Sequence, residues 1–277
     1  MKNERELRSD IVEVCKHIHA KGWISSTDGN VSARLRHDRI LITPSGIHKG
    51  FMKTGDLIIV DNKGGHVSGK GKPSSEMMMH ITCYDERPDI GAVVHAHPTL
   101  SVAFSVAGVK LAKCLLPEVV FTLGSIPTAD YAPPATDEVP DSIKKYIKDF
   151  DAVILERHGS VTVGSDVFTA YNALERMEHV AEITYHARQL GSVEPLSGKQ
   201  IARLQEIGEE QGWPKRKIIH DSCNECNACN KFSPQRNQTP VDPGCDNRGQ
   251  VAKTMITNPS EEVMNMIVNE VVASMKS

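Results

Sequence analysis

The feature that most constrains this chain is an alternation of two hydrophobic periods. Short apolar runs at Val31–Leu35, Arg39–Thr43, Leu57–Asp61, Gly91–His97 and Ala152–Glu156 are bounded by Gly, Pro and Asp, as strands are. Between and around them lie stretches with apolar residues every third or fourth position, the period of a helix with one buried face. Residues 4–20 carry Leu7, Ile11, Val14, Cys15 and Ile18 in that spacing, with Gly22 ending the run. A second helix is expected from Ser74 or Ser75 through Glu86, and a third over Thr99–Gly108. A long one runs from Asp166 to Gly191 on Ala170, Leu174, Met177, Ala181 and Tyr185. The stretch with Pro117, Pro127, Pro133, Pro134 and Pro140 is expected to be loop-rich. Strands alternating with helices make the first 191 residues an α/β domain.

The remainder has a different texture. Lys199–Gln211 has helical character, and with it the main domain is expected to occupy residues 1–210. Residues 211–250 are rich in Asn, Cys, Pro, Gly and Lys, with few large apolar residues from which to build a core. Helical character returns over 258–277, where Ser260 is a candidate N-cap and Met264, Ile267, Val268, Val271 and Met275 form one apolar stripe. The seven cysteines follow the same division. Cys15, Cys83 and Cys114 are scattered through the main domain, whereas Cys223, Cys226, Cys229 and Cys245 crowd the extension. No internal repeat is visible.

Charge limits the partners. Acidic residues number 35 against 32 basic ones, a net charge of −3 with no basic stripe, which argues against nucleic acid as a partner. The apolar runs are too short to span a bilayer. The opening MKNERELRSD lacks the apolar segment of a secretory signal, so a reducing cytoplasm is the expected compartment. Crowded cysteines in such a compartment read as metal or cluster ligands before disulfides.

Chemistry-bearing residues gather at the strand ends. His95 and His97 stand two apart in a strand-like run closed by Pro98, so their side chains are expected on one face. Two neighbouring imidazoles are two legs of a zinc site, or simply polar residues at a strand edge. His158 follows a second buried run and precedes Gly159, at the kind of strand end where α/β folds gather ligands. It could equally cap a turn. Glu76 closes Gly71-Lys72-Pro73-Ser74-Ser75-Glu76, where hydroxyls and free backbone N–H groups at a helix start would suit an anion. Its carboxylate could ligate a metal, act as a base or complement the helix dipole. Thr27-Asp28-Gly29-Asn30 and Thr43-Pro44-Ser45-Gly46 are two more polar turns able to offer donors to a phosphate. The other histidines, including His17, His19, His48, His80, His179 and His186, show no ligand spacing.

Taken in order, STDGNVSAR, ILITPSGI, GKPSSE, HAHP and ERHG resemble the class II aldolase/adducin family over Leu7 to Gly191. That resemblance implies a three-layer α/β/α fold around a mainly antiparallel sheet, assembled as a homotetramer. It implies a catalytic Zn²⁺ on His95, His97 and His158, with Glu76 ligating the resting metal and then acting as the base. Gly29, Asn30, Thr43, Ser74 and Ser75 would hold the phosphate of a sugar substrate. The implied activity is cleavage of a ketose 1-phosphate, such as L-fuculose 1-phosphate, to dihydroxyacetone phosphate and an aldehyde such as L-lactaldehyde. The same scaffold hosts sugar-phosphate epimerases and dehydratases, and adducin-like proteins use it as a non-enzymatic binding module. The family's epimerase has Asp where this chain has Glu76, which favours the aldolase. Its fuculose-phosphate enzyme also uses a tyrosine from a neighbouring subunit, yet the comparable stretch here, PEVVFTLGS, has none; Tyr131 is nearby in sequence.

The extension lies beyond that resemblance. Cys223, Cys226, Cys229 and Cys245 have ligand-like spacing for a structural Zn²⁺ or an iron–sulfur cluster; the alternative is four reduced thiols without a ligand. The terminal helix resembles the encapsulation peptides that bind enzymes to bacterial microcompartment shell proteins, whereas an ordinary amphipathic helix packs on its own protein.

Overall fold

A computed structural model describes residues 2–219 apart from His37 and residues 112–113. The cysteines 223, 226, 229 and 245 and the 258–277 helix lie outside the described residues.

The first helix, α1 (Glu4–Ala20), opens on a capping box in which Asn3 and Glu6 satisfy each other's backbone N–H groups, a device worth about 1 kcal/mol. Strands β1 (Asn30–Arg36), β2 (Arg39–Ile42), β3 (Ile58–Asp61) and β4 (His66–Ser68) form an antiparallel meander. Next come α2 (Met77–Glu86), β5 (Ala92–Ala96), α3 (Thr99–Val106), α4 (Pro117–Thr122), β6 (Thr128–Ala129) and α5 (Glu138–Ile147). The pair β7 (Ala152–Leu155) and β8 (Gly159–Gly164) precedes α6 (Val167–Leu190) and α7 (Gly198–Glu210). The strand order is β4-β3-β2-β1-β5-β8-β7-β6, antiparallel throughout except for the parallel β6–β7 pair.

Period-two alternation sorts the two faces of this sheet. Val31, Ala33, Leu41, Ala92, Val94 and Ile154 point to one side, with Ile11 of α1 and Leu174 and Met177 of α6. Ile40, Ile42, Val93, Val153, Val161 and Val163 point to the other, where Ile81 and Tyr84 of α2 and Ile143 and Ile147 of α5 cover them. Two helical layers around a mainly antiparallel sheet are the expected α/β/α architecture. Among the described residues, no helix is long and apolar enough to cross a membrane.

Three local expectations need correction. The second helix begins at Met77, because Ser74 Oγ accepts the Glu76 N–H and makes residues 74–76 a turn instead. The proline-rich stretch contains α4 and α5. Pro117 is the first residue of α4 and Pro140 the third of α5, where a proline removes only N–H groups that have no helical partner. Strands β4, β6 and β8 also escaped the periodicity. Beyond α7, Arg216 pairs with Asp151, Lys217 with Asp149, and Ser125 Oγ accepts the Ile219 N–H, so residues 216–219 lie on the domain surface.

Candidate active site

Strands β5 and β7 are both antiparallel to β8, so they run the same way and their carboxyl ends share one edge of the sheet. His95 is the penultimate residue of β5; His97 lies just beyond it and His158 just beyond β7. His97 stands one residue past the end of β5; its backbone N–H donates to the Trp23 carbonyl at 2.7 Å, and its ring lies beside that of His95. His158 sits in a tight turn with Arg157 in the left-handed region at φ 57°. Gly159 makes that turn possible: a Cβ there would stand 2.6 Å from both the Ala96 carbonyl oxygen and His97 Cδ2.

The three rings meet at their Nε2 edges. Centroids of the three pairs lie 4.9 to 5.1 Å apart, and His95 Nε2 is 3.0 Å from His97 Nε2. Glu76, the cap residue of α2, reaches the same point, with Oε2 3.2 Å from His95 Nε2 and Oε1 3.1 Å from His158 Nε2. Its position fixes the chemistry. His95 Nδ1 donates to the Ser160 carbonyl at 2.9 Å, which turns Nε2 toward the cluster. Burial, reinforced by His95 and His158, pushes His97 down to about 3, so its ring is neutral at physiological pH. For Glu76, burial works against ionisation, but the charge and hydrogen bonds of His95 and His158 outweigh it and hold the carboxyl well below the usual range.

Glu76 Oε1 is buried and faces His158 Nε2 at 3.1 Å. A buried carboxylate oxygen is costly unless something positive meets it. Ligand atoms of His95, His97 and His158 all lie within 4.8 Å of one another, the donor set that suits a divalent metal, zinc above all. Ser160 supplies a carbonyl that fixes the His95 ring from behind, as the outer partners of metal-binding histidines do.

The polar turns flank this cluster. Gly29 has φ 68°, and a Cβ on it would meet the His95 carbonyl oxygen at 2.9 Å, so only glycine lets the turn lie this close. Asn30 is buried and donates from Nδ2 to Glu76 Oε2 at 2.9 Å. Thr43 is fully buried, its Oγ1 accepting the Val31 N–H at 3.3 Å. Pro44 bridges to Pro73, and the Ser45 N–H donates to the Lys72 carbonyl, which draws the second turn against residues 72–76. Ser74 is partly buried and Ser75 exposed in that loop.

Several residues of the site carry no sequence signal that was recognised. Lys49 is buried and donates from Nζ to the Thr27 and Ile47 carbonyls, tying the first two turns together. Its pKa is lowered, chiefly by burial. His80 is fully buried behind Asn30 and, with burial as the main cause, is pushed down to about 3. One helical turn separates it from Glu76, and that i, i+4 spacing was its available signal. A separate cleft of about 760 Å³, lined by Trp23, Glu118, Asn172 and His179 among others, contains none of the clustered groups.

Residues 9–185 match the family model for the class II aldolase and adducin N-terminal domain. The chain belongs to that family. This class II aldolase domain is 35% identical over 177 residues to an L-fuculose phosphate aldolase of Methanococcus maripaludis, covering 64% of this chain and 95% of that one. It is also 35% identical over 187 residues to a 3-oxo-tetronate 4-phosphate decarboxylase of Cupriavidus necator, covering 66% and 85%. A solved L-fuculose 1-phosphate aldolase superposes with a TM-score of 0.68 at 26% identity, over 75% of this chain and 97% of that one. The class II aldolase match ends before the cysteine-rich extension begins.

Proposed function

We propose that this protein is a zinc-dependent aldolase that cleaves a ketose 1-phosphate, such as L-fuculose 1-phosphate, to dihydroxyacetone phosphate and an aldehyde. The observation that carries the proposal is the convergence of three imidazole Nε2 atoms and the Glu76 carboxylate beside donor-rich turns. His95, His97, His158 and Glu76 would hold the metal. When bound there, a divalent ion supplies Lewis-acid stabilisation of negative charge developing on a substrate oxygen. In the condensation direction Glu76 takes a proton from C3 of dihydroxyacetone phosphate, and the electron pair delocalises into the C2 carbonyl. C3 then adds to the aldehyde carbon as the C2 carbonyl re-forms, the aldehyde oxygen takes a proton from solvent and Glu76 returns its own to solvent; cleavage is the reverse. Gly29, Asn30, Thr43, Ser74 and Ser75 orient the phosphate, whose binding energy holds C3 against the carboxylate.

A second reading comes from the decarboxylase relative. Loss of CO₂ from a 3-oxo acid phosphate leaves the same type of carbanion beside a carbonyl, so the same groups would serve. Product analysis separates the two. Release of dihydroxyacetone phosphate from L-fuculose 1-phosphate, L-rhamnulose 1-phosphate or a simpler ketose 1-phosphate supports the aldolase. CO₂ release from 3-oxo-tetronate 4-phosphate, with no cleavage of any ketose phosphate, refutes it. Epimerisation or dehydration of the same substrates would refute it equally.

The proposal extends to assembly and to the extension. A homotetramer in the cytoplasm, recruited by residues 258–277 to a microcompartment shell, accommodates both the family resemblance and the terminal apolar stripe. Cys223, Cys226, Cys229 and Cys245 would carry a second zinc or a cluster. Metal analysis giving two ions per chain, falling to one when these cysteines become serine, supports that site. One ion before and after contradicts it.

A further inference from the structure

Behind Asn30 a file of side chains runs into the protein between β1 and α2. His80 Nε2 meets Asn30 Oδ1, His80 Nδ1 lies 2.7 Å from Ser32 Oγ, and Ser32 Oγ lies 2.9 Å from the Tyr84 hydroxyl. Ser32 and His80 are fully buried and Tyr84 nearly so. Donor and acceptor roles along this file follow from its outer end. An ionised Glu76 can only accept, so Asn30 must turn its amide nitrogen toward it. Asn30 Oδ1 is then the acceptor that faces His80, which must present Nε2–H. A neutral ring with its proton on Nε2 has a bare Nδ1, so the Ser32 hydroxyl donates to it. The Ser32 oxygen is left to accept from Tyr84. Every role is filled once and none conflicts.

We propose that His80, backed by Ser32 and Tyr84, is a positioning residue that locks the Asn30 amide so that both of its N–H groups face the catalytic cleft. One N–H holds Glu76 Oε2, and the other is presented to the substrate's anionic group. The functional consequence rests on the aldolase reading of Glu76, whereas the tautomer and amide orientation do not. Reversing the amide would aim Oδ1 at the carboxylate, two acceptors with no proton between them. The file prevents that reversal without touching substrate itself. Arg34 anchors its far end, stacked 4.6 Å from the Tyr84 ring centroid and donating to the Tyr84 carbonyl.

The test combines spectroscopy with kinetics on the full-length zinc-loaded protein. Nitrogen-15 NMR of labelled histidine should show His80 as the Nε2–H tautomer in the wild type. In Ser32→Ala, which lies three links from Glu76, the Nδ1–H form should appear. The inhibition constant for inorganic phosphate should rise, and kcat/KM should fall about tenfold, the size of other losses of supporting hydrogen bonds around active centres. His80→Gln, whose amide nitrogen can replace Nε2–H, should keep most activity, and His80→Leu should lose it while melting as a folded protein. Tyr84→Phe should have the mildest effect. An Nδ1–H His80 in the wild type overturns the proposal outright. Equal kcat/KM and phosphate inhibition in His80→Leu and His80→Gln also overturn it, because the file would then be structural only. A wild type without aldolase activity refutes the function above but leaves the NMR and phosphate-binding arms decisive.

Discussion

At Glu76 the competing demands on a single residue are most evident. In the proposed mechanism its carboxylate must be buried to meet the imidazoles, ionised to be a ligand and base, and mobile enough to carry a proton. Neighbouring histidines offset the burial, and Asn30 holds one oxygen while His158 faces the other. Glu76→Gln keeps the size and most of the shape but removes the base. Its kcat should fall by roughly 10² to 10⁴, the range for losing a positioned general base, with zinc retained on the three imidazoles. Initial rates beside metal analysis check this. Undiminished kcat would place the base elsewhere. The three clustered histidines were legible because strand ends and an HxH pair are sequence patterns, and Glu76 because it closes a Ser-rich turn. His80 and Lys49 were not, because their partners are a side chain 50 residues away and two backbone carbonyls. Only the folded chain brings those together.

Among the elements, the turns and helix starts decide whether the ligands meet. Helix α3 begins two residues after His97, and Glu178 on α6 clamps that start. Its carboxylate accepts from the Leu100 and Ser101 N–H groups at 2.7 and 2.9 Å and from Ser101 Oγ at 2.7 Å. Glu178→Ala should destabilise the fold by about 3 kcal/mol, since buried donors would lose their partner, and should weaken zinc binding through His97. Urea denaturation with a zinc titration measures both. A stability loss with unchanged zinc affinity would confine Glu178 to a structural role. Gly159→Ala tests the other side of the cluster. The added methyl would push on the Ala96 backbone as well as on His97, so zinc affinity should fall even if the protein still folds. Most elements could be read from period, but α5 could not. Its buried Val139, Ile143 and Ile147 have helical spacing, yet the prolines around it obscured the pattern. Strand β8 was hidden for a different reason. Its Gly, Ser and Thr residues have little apolar character, and they are buried because they lie in the middle of the sheet.

For the molecule as a whole, the cluster makes stability depend on pH. His80 is held neutral, with its folded pKa near 3 against about 6.5 for an unperturbed histidine. Below about 6.5 the unfolded chain therefore binds a proton that the native chain does not, so stability falls as pH drops toward 3. His97 and Glu76 act in the same direction, the latter below the ordinary carboxylate range. The metal-free protein should lose up to about 1.4 kcal/mol per pH unit from His80 alone over that window, as read from melting at successive pH values. A flat profile would show that the file behind Asn30 is protonated or open to water. The whole-molecule architecture was legible from alternation and motif order. The surface path of residues 216–219 was not, because the ion pairs and the backbone N–H that hold it leave no periodic trace. The central claim is that three histidines and Glu76 form a zinc-dependent carbon–carbon lyase. It is tested most directly by following dihydroxyacetone phosphate released from L-fuculose 1-phosphate before chelation, after chelation and after zinc is restored. Release that stops with the chelator and returns with zinc is the predicted result; release that persists in metal-free protein would contradict it.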